Sequence, residues 1–285
     1  MPKARATGRL SDRHAVKVRL RRASLNTVCE EARCPNMSEC FKSHTATFLI
    51  LGEVCTRRCR FCAIQKDREA TEVDPGEPGR LAAAVSELEL AHAVITSVTR
   101  DDLPDGGAGQ FADCIAEIKK LCPQVTVEVL VPDLGGDLES LQVVLDAGPQ
   151  VLNHNLETVP RLYSRVRPGA DYERSLKIIS RAARHGGLLV KSGLMVGLGE
   201  TDREIVQVLV ELERAGCQVV TIGQYLQPRP GCLPVEREVT AEQFAGFDRE
   251  GERIGLTVVS GSLVRSSYHA REVLADCLKS GARSE

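Results

Sequence analysis

An α/β fold with a parallel sheet is predicted for this 285-residue chain by three observations. Short β-rich apolar runs recur along it. Most are separated by segments of helical periodicity. The runs are continuously apolar rather than alternating, as expected of strands covered on both faces. They are Thr45–Leu51, Ala93–Val98, Val125–Val131, Val151–Leu156, Leu188–Val196, Val219–Tyr225 and Thr257–Val264. Helical patterns between them are clearest in Leu81–Leu90, Phe111–Leu121, Leu138–Leu145, Tyr172–Ala183, Glu204–Glu213 and Ala241–Ile254. Such a repeat either curls into a barrel or opens into a doubly wound sheet, and periodicity does not choose. No GxGxxG follows a strand, which weakens the dinucleotide-binding version of the open sheet.

Length suits one large domain, since single α/β barrels commonly exceed about 200 residues. The 42% hydrophobic content is enough for a full core. No run approaches the roughly 18 uninterrupted apolar residues that a membrane span needs, so a soluble protein without membrane contacts is expected. The formal net charge of −2 hides an asymmetry: eight basic residues against Asp12 alone give residues 1–22 a charge of +7 and leave −9 for the remainder. Such a segment attracts acidic partners at long range. It has no interleaved aromatics or nucleic-acid motif, so no nucleic-acid partner is expected. Its Arg-rich composition partly fits a transit peptide, yet Ser11 is the only serine before residue 23. Residues 1–22 therefore read as a flexible, solvated basic arm.

Six of the eleven cysteines fall in two triplets, Cys29-x4-Cys34-x5-Cys40 and Cys55-x3-Cys59-x2-Cys62. Disulfide frameworks belong to short secreted chains, and structural zinc wants four ligands, usually from paired cysteines. Neither triplet supplies four. Three thiolates on one short loop instead suit three corners of a four-iron cubane, leaving the fourth iron open for chemistry. Reduced thiols imply a reducing compartment, hence a cytoplasmic location. Cys114, Cys122, Cys217, Cys232 and Cys277 have no ligand spacing and read as ordinary core or surface thiols.

The CxxxCxxC of Cys55, Cys59 and Cys62 resembles the signature of the radical S-adenosylmethionine enzymes. The longer string CEEARCPNMSECFKSHTATFLILGEVCTRRCRFC resembles the lipoyl synthase family at nearly every position. The likeness continues through TSVTRDDLPDGGA at 96–108, LNHNLETVPRLYSRVRPGADYERSL at 152–176, KSGLMVGLGE at 191–200, GQYLQP at 223–228 and VRSSYHA at 264–270, so it covers roughly residues 25 to 270. One departure is Cys232 in RPGCLPV, where that family commonly carries a histidine. This puts any role of that loop in doubt but touches no cluster ligand.

The resemblance implies an incomplete, TIM-like (β/α)6 barrel over residues 45–255. An N-terminal extension over 23–44 would carry Cys29, Cys34 and Cys40, and a C-terminal extension over 256–285 would carry the RSSY motif. It implies two [4Fe-4S] clusters, one radical-generating on Cys55, Cys59 and Cys62. The other would be auxiliary, on Cys29, Cys34, Cys40 and Ser267. Read from the residues alone, Ser266 and Ser267 would be a helix N-cap.

The implied reaction is sulfur insertion at C6 and C8 of a protein-bound octanoyl group, with the auxiliary cluster as sulfur donor. Its partners would be an octanoylated carrier protein or lipoyl domain, an electron-donor protein, and iron–sulfur assembly or carrier proteins. In a barrel the loops after the strands form the active face. Asn153, Asn155 and Glu157, with Ser97 and Lys191, are thus expected to contact S-adenosylmethionine through polar groups suited to ribose hydroxyls and an ammonium. His154, between the asparagines, is expected to point away as a packed residue. Arg57, Arg58 and Arg60 are expected to tune the cluster's charge, to bind phosphate donors or to remain solvated, and Arg265 and Tyr268 to help place the substrate arm.

Two other readings stay open on the sequence. A non-catalytic iron–sulfur carrier or redox sensor would need clusters but no adenosyl pocket. A biotin-synthase-like sulfur inserter would lack a reason for the first triplet and RSSY.

Overall fold

The computed structural model describes residues 10–28, 36–67, 71–268 and 270–281. Helix α1 (Leu10–Arg22) leads into β1 (Asn26–Thr27), and α2 (Met37–Lys42) precedes β2 (Thr45–Ile50). A short parallel ladder of β3 (Val54–Cys55) and β4 (Gln65–Lys66) frames the second cysteine triplet. The repeat then runs through α3 (Glu77–Glu87), β5 (His92–Ser97), α4 (Ala108–Leu121), β6 (Thr126–Leu130), α5 (Leu138–Asp146) and β7 (Val151–Asn153). It continues with α6 (Tyr163–Val166), α7 (Tyr172–His185), β8 (Leu189–Val196), α8 (Asp202–Arg214), β9 (Val219–Gln224), α9 (Ala241–Ile254), β10 (Thr257–Gly261) and α10 (Ala270–Gly281).

The main sheet has the order β1-β2-β5-β6-β7-β8-β9-β10. Only β1 is antiparallel, and from β2 onward spatial order follows chain order. A doubly wound sheet reverses its winding at a switch point. This order never reverses, so the ambiguity left by periodicity resolves in favour of a barrel wound in one direction. Strands β2 and β5 to β9 are its six strands, and β10 adds a seventh. The edge bearing β1 is not hydrogen-bonded to β10, so the barrel is incomplete.

Register assigns the two faces. Leu49, Thr96, Leu130, Asn153 and Lys191 are successive partners and share the face turned into the lumen. Thr47, Val94 and Glu128 are partners one step nearer the strand starts on the same face. The opposite face carries Phe48, Ile95, Val129, Leu152 and Val190, all 0–1% exposed. Helices cover it with Leu81, Val85, Phe111, Ile115, Leu141, Leu145, Ile205 and Leu209, each fully buried. Each such side chain stabilises the fold by about 1.5–3 kcal/mol relative to exposure. Helix starts are set locally: Thr201 with Glu204, and Thr240 with Gln243, form reciprocal capping boxes.

The arm expected to be flexible over 1–22 is helical from Leu10, and residues 1–9 lie outside the described residues. Val16 and Leu20 form an apolar stripe at i,i+4 that the charge-based reading overlooked. Leu20 is fully buried, and Val16 packs on the same core. Arg80 Nε donates to the Ala23 carbonyl at 2.9 Å and ties the helix end to α3.

Candidate active site at the barrel mouth

The loop carrying Cys55, Cys59 and Cys62 leaves β2 through Leu51 and Gly52, both at positive φ (66° and 88°). Neighbouring elements and the strand that follows it pin it. Thr56 N donates to the Thr99 carbonyl at 3.0 Å, Arg60 N to that of Val166 at 2.8 Å, and Lys66 Nζ to that of Cys59 at 2.7 Å. Arg57 is not a solvated cation. Its Nε and Nη2 each donate to Asp101 at 2.8 Å, and it pairs with fully buried Asp133 at 2.6 Å. Burial works against its charge, yet the two carboxylates outweigh it and raise its pKa. Arg58 and Arg60 are exposed.

The three thiols line one cavity of about 190 Å³, together with Ser97, His154, Asn155, Glu157 and Arg167. Among the described residues no three His, Cys, Asp or Glu side chains converge as ligands of a single ion. Burial pushes the Cys62 thiol up to about 11 and also raises Cys59. Loading iron on these thiols therefore releases protons.

Four buried polar atoms on the cavity-lining residues have no hydrogen-bond partner: Ser97 Oγ, His154 Nε2, Asn155 Oδ1 and Arg167 Nε. Unpaired buried polar groups are rare, and a cluster of them around one cavity fits a polar ligand. His154 Nδ1 lies 2.8 Å from the Val131 carbonyl, so it carries the proton and leaves Nε2 as an acceptor. Burial, with Arg167 nearby, lowers the His154 pKa to about 4, so the ring is neutral. Arg167 is 9% exposed; its Nη1 donates to the Asn155 carbonyl at 2.8 Å and to Tyr163 Oη at 3.1 Å. Burial raises the Glu157 pKa, against Arg167 and the Asn155 amide. Glu157 has φ 67°, held by Glu157 N to the Gly193 carbonyl and Met195 N to the Glu157 carbonyl, both 2.9 Å.

Of the five residues expected at the cofactor, Ser97, Asn155 and Glu157 line this cavity and Asn153 and Lys191 do not. The last two point into the lumen beneath it, where Lys191 Nζ lies 3.2 Å and Asn153 Nδ2 3.4 Å from Glu128 Oε1. His92 Nε2 is 3.1 Å from Glu128 Oε2. Burial alone would raise Glu128, but Lys191 and His92 hold it at about 2. His154 is also corrected. β7 ends at Asn153, so the chain is no longer extended and the ring turns into the cavity wall. Neither Arg167 nor Thr47, below, was singled out by spacing. RVRPG reads as an ordinary basic turn, and Thr47 reads as one more strand residue.

Beyond β10 the chain turns back into the lumen. A Cβ on Gly223 would lie 2.1 Å from the Val264 carbonyl oxygen, and one on Gly193 would lie 3.0 Å from Ser266 Oγ. These glycines on β9 and β8 make room for the Val264–Ser267 segment. Asn155 Nδ2 donates to Ser266 Oγ at 2.7 Å and to Glu157 Oε1 at 3.1 Å. Thr47 Oγ1 donates to Ser267 Oγ at 2.9 Å, so the segment reaches across to β2.

Asn36 Nδ2 donates to the Leu263 carbonyl at 2.6 Å, and Tyr268 Oη lies 3.2 Å from both Glu39 carboxylate oxygens. Cys40 faces a small hollow with Thr45 and Tyr268, one residue from Ser267. Cys29 and Cys34 lie outside the described residues. Arg265 Nη1 donates to the Val264 carbonyl, which folds it onto its own turn. Cys232 is buried with Sγ 3.6 Å from the Cys62 carbonyl, and Leu233 N donates to the Arg60 carbonyl at 3.0 Å, so this loop backs the cluster loop.

The model of the Radical SAM superfamily matches residues 49–212. The lipoyl synthase of Caldanaerobacter subterraneus subsp. tengcongensis is 53% identical over 261 residues, 91% of each chain. That of Rubrobacter xylanophilus is 51% identical over 272 residues, 94% of this chain and 84% of the other. Among solved structures, Streptococcus suis SuiB bound to precursor peptide SuiA matches with TM-score 0.61 at 10% identity, over 89% of this chain and 53% of that one. Methylornithine synthase (PylB) matches with TM-score 0.53 at 15% identity, over 89% and 83%. At these identities the solved structures establish the fold alone. The superfamily match spans more than half of the chain and the relatives are similar over nearly all of it, so the chain belongs to the lipoyl synthase family of radical SAM enzymes.

Proposed function

We propose that this chain inserts two sulfur atoms, at C6 and C8, into an octanoyl group carried by another protein, giving a lipoyl group. The observation that carries the reading is the single cavity lined both by three half-buried thiols and by residues carrying four unpartnered polar atoms. A bare electron carrier has no use for that second set. The radical cluster with S-adenosylmethionine supplies hydrogen abstraction, and the auxiliary cluster supplies sulfur.

Cys55, Cys59 and Cys62 hold the first cluster. Ser97, His154 Nε2 and Asn155 Oδ1 offer hydrogen bonds to the nucleoside side of the cofactor. Glu157 suits its ammonium and Arg167 its carboxylate. Asn153 and Lys191 act indirectly, through Glu128, by fixing the lumen wall beneath. Cys29, Cys34, Cys40 and Ser267 hold the second cluster. Residues 45–255 are then the catalytic barrel, with 23–44 and 256–285 as extensions that build the auxiliary site.

The inward row of β2 spaces the two sites. Leu49 lines the thiol cavity and Thr45 lines the hollow beside Cys40. Four residues at about 3.3 Å each separate them by roughly 13 Å. The octanoyl chain would lie between, against the inward Leu49, Val94 and Leu130. Required partners are an octanoylated carrier, a one-electron donor protein and an iron–sulfur assembly protein. No described helix is long and apolar enough to cross a membrane. We place the reaction in the cytoplasm, where thiolate ligands stay reduced.

The test is mass spectrometry of an octanoylated carrier peptide after anaerobic incubation with the reconstituted protein, S-adenosylmethionine and reductant. The expected result is replacement of two hydrogens by two sulfurs, with deoxyadenosine formed. Deoxyadenosine without sulfur insertion would reject the substrate, and its absence would reject the radical chemistry.

A further inference from the structure

The thiol cavity has a floor, and it is built of charge. On β2, β5 and β6 the deepest inward residues that line the cavity are Leu49, Thr96 and Leu130. One inward step further down, Thr47, Val94 and Glu128 do not line it. Side chains from four successive strands meet at that level. Lys191 Nζ from β8 lies 3.2 Å and Asn153 Nδ2 from β7 lies 3.4 Å from Glu128 Oε1 on β6, and His92 Nε2 from β5 lies 3.1 Å from Glu128 Oε2. All four residues are 0–1% exposed, so the packing is closed there.

Stability alone does not account for this floor. Replacing a buried ion pair by well-packed apolar residues is often neutral or stabilising. The network also leaves His92 Nδ1 and Asn153 Oδ1 without partners, at a further cost. What a close-packed ionic floor gives the cavity is a sharp lower boundary. Above it Leu49, Val98 and Leu130 accept methylenes, each worth about fourfold in affinity when buried. At the level of Val94, the strand partner of Glu128, the apolar wall ends. A methylene pushed further would separate Glu128 from Lys191 and leave a buried charge unpaired.

A chain tethered to a carrier by its carbonyl end enters methyl end first. Resting on the proposed reaction, we infer that the Glu128–Lys191–His92 network beneath the cavity is the specificity-determining stop for the acyl chain. The methyl end rests on it, and the carbons presented for attack are counted from that end rather than from the carbonyl. In an octanoyl chain these are C8 and C6. In a decanoyl chain they are C10 and C8.

Carrier peptides bearing hexanoyl, octanoyl or decanoyl groups test this on the reconstituted protein with S-adenosylmethionine. In calorimetry without reductant, affinity should rise about 15-fold from hexanoyl to octanoyl, for two buried methylenes, and should rise no further to decanoyl. After reduction, with decanoyl deuterated at a single carbon, deuterium should pass to deoxyadenosine from C10 and not from C6. Glu128→Ala combined with Lys191→Leu removes both charges together and deepens the lumen. Decanoyl should then bind more tightly than octanoyl, and deuterium at C6 should transfer. A network that only supports the fold would change the melting temperature of this variant and leave the length dependence where it was, which would overturn the inference. Parent affinity that keeps rising through decanoyl, or parent transfer from C6 and not from C10, would overturn it whether or not the variant folds. An octanoyl peptide that neither binds nor yields deoxyadenosine would reject the proposed reaction itself, and the inference with it.

Discussion

Replacing Gly223 by alanine tests whether the Val264–Ser267 segment sits in the lumen. The added Cβ would be 2.1 Å from the Val264 carbonyl oxygen and 3.1 Å from Arg265 Nη1. Ordinary contact needs about 3.5 Å, so the segment must retreat by roughly 1.4 Å. The obstacle is backbone, and no rotamer change relieves it. The same movement carries the 2.9 Å contact between Thr47 and Ser267 beyond hydrogen-bonding distance. Misplacement by about 1 Å costs on the order of 100-fold in a positioned reaction. Lipoyl formation should fall by that factor while deoxyadenosine formation stays within about threefold, because of the cavity-lining residues described above only Asn155 bonds the displaced segment and it keeps its second bond to Glu157. Overpacking should cost about 1–3 kcal/mol of stability. Gly246→Ala, on α9 with nothing nearer than 3.9 Å, should instead be neutral or stabilising by about 0.5–1 kcal/mol. Parallel assays of both products and of melting temperature decide it. Parent-level lipoyl formation by Gly223→Ala would refute the seating of the segment.

Ser267→Ala should leave S-adenosylmethionine cleavage intact but abolish lipoyl formation, and Ser267→Cys should hinder sulfur release through a softer, more retentive ligand; product formation at the parent rate by either would shift the role to Ser266 or to a non-protein ligand. Arg57→Met should destabilise the fold by about 3–5 kcal/mol by leaving buried Asp133 with only the longer 3.4 Å contact to Arg174, as chemical denaturation would report, and a loss below about 1 kcal/mol would mean that Arg174 or water compensates Asp133. His154 titrates at about 4 when folded and near 6.5 when unfolded. Its contribution is complete above about pH 6.5 and is lost as pH falls toward 4, because the unfolded chain binds the extra proton; the whole step is on the order of 3 kcal/mol. Urea unfolding of the cluster-free protein across that window should show this slope, and His154→Gln should flatten it; an unchanged slope would assign it to other groups.

The fold was legible wherever a strand or helix announced itself by its own residues. The seven β-rich runs all contain strands, and the capping residues Thr201 and Thr240 start helices from local chemistry alone. Barrel against open sheet was legible only through the family likeness, because both are built from the same unit and differ only in winding. Among candidate cofactor contacts, the errors share a cause. Asn153 ends β7, but its register partner Lys191 is only the third residue of β8, and both side chains sit below the cavity beside Glu128. His154 was judged by strand alternation one residue after the strand had stopped. Arg167 became visible only when the fold buried its guanidinium against Tyr163 with Nε unpaired. The helical stretch of the basic arm was hidden by its charge, since two apolar residues, Val16 and Leu20, decide its packing.

The hydrogen bond between Thr47 and Ser267 also orders events during synthesis. Its partners are 220 residues apart, so at about 5–20 residues per second the ribosome makes the second roughly 10–45 s after the first. Throughout that interval the strand and the cysteines near it exist without the segment that crosses the lumen. The nascent barrel is therefore open from within until the Val264–Ser267 segment has been made. Delaying cluster delivery until translation ends avoids that exposure. A stop codon placed just before Val264 would hold the chain at this stage for study.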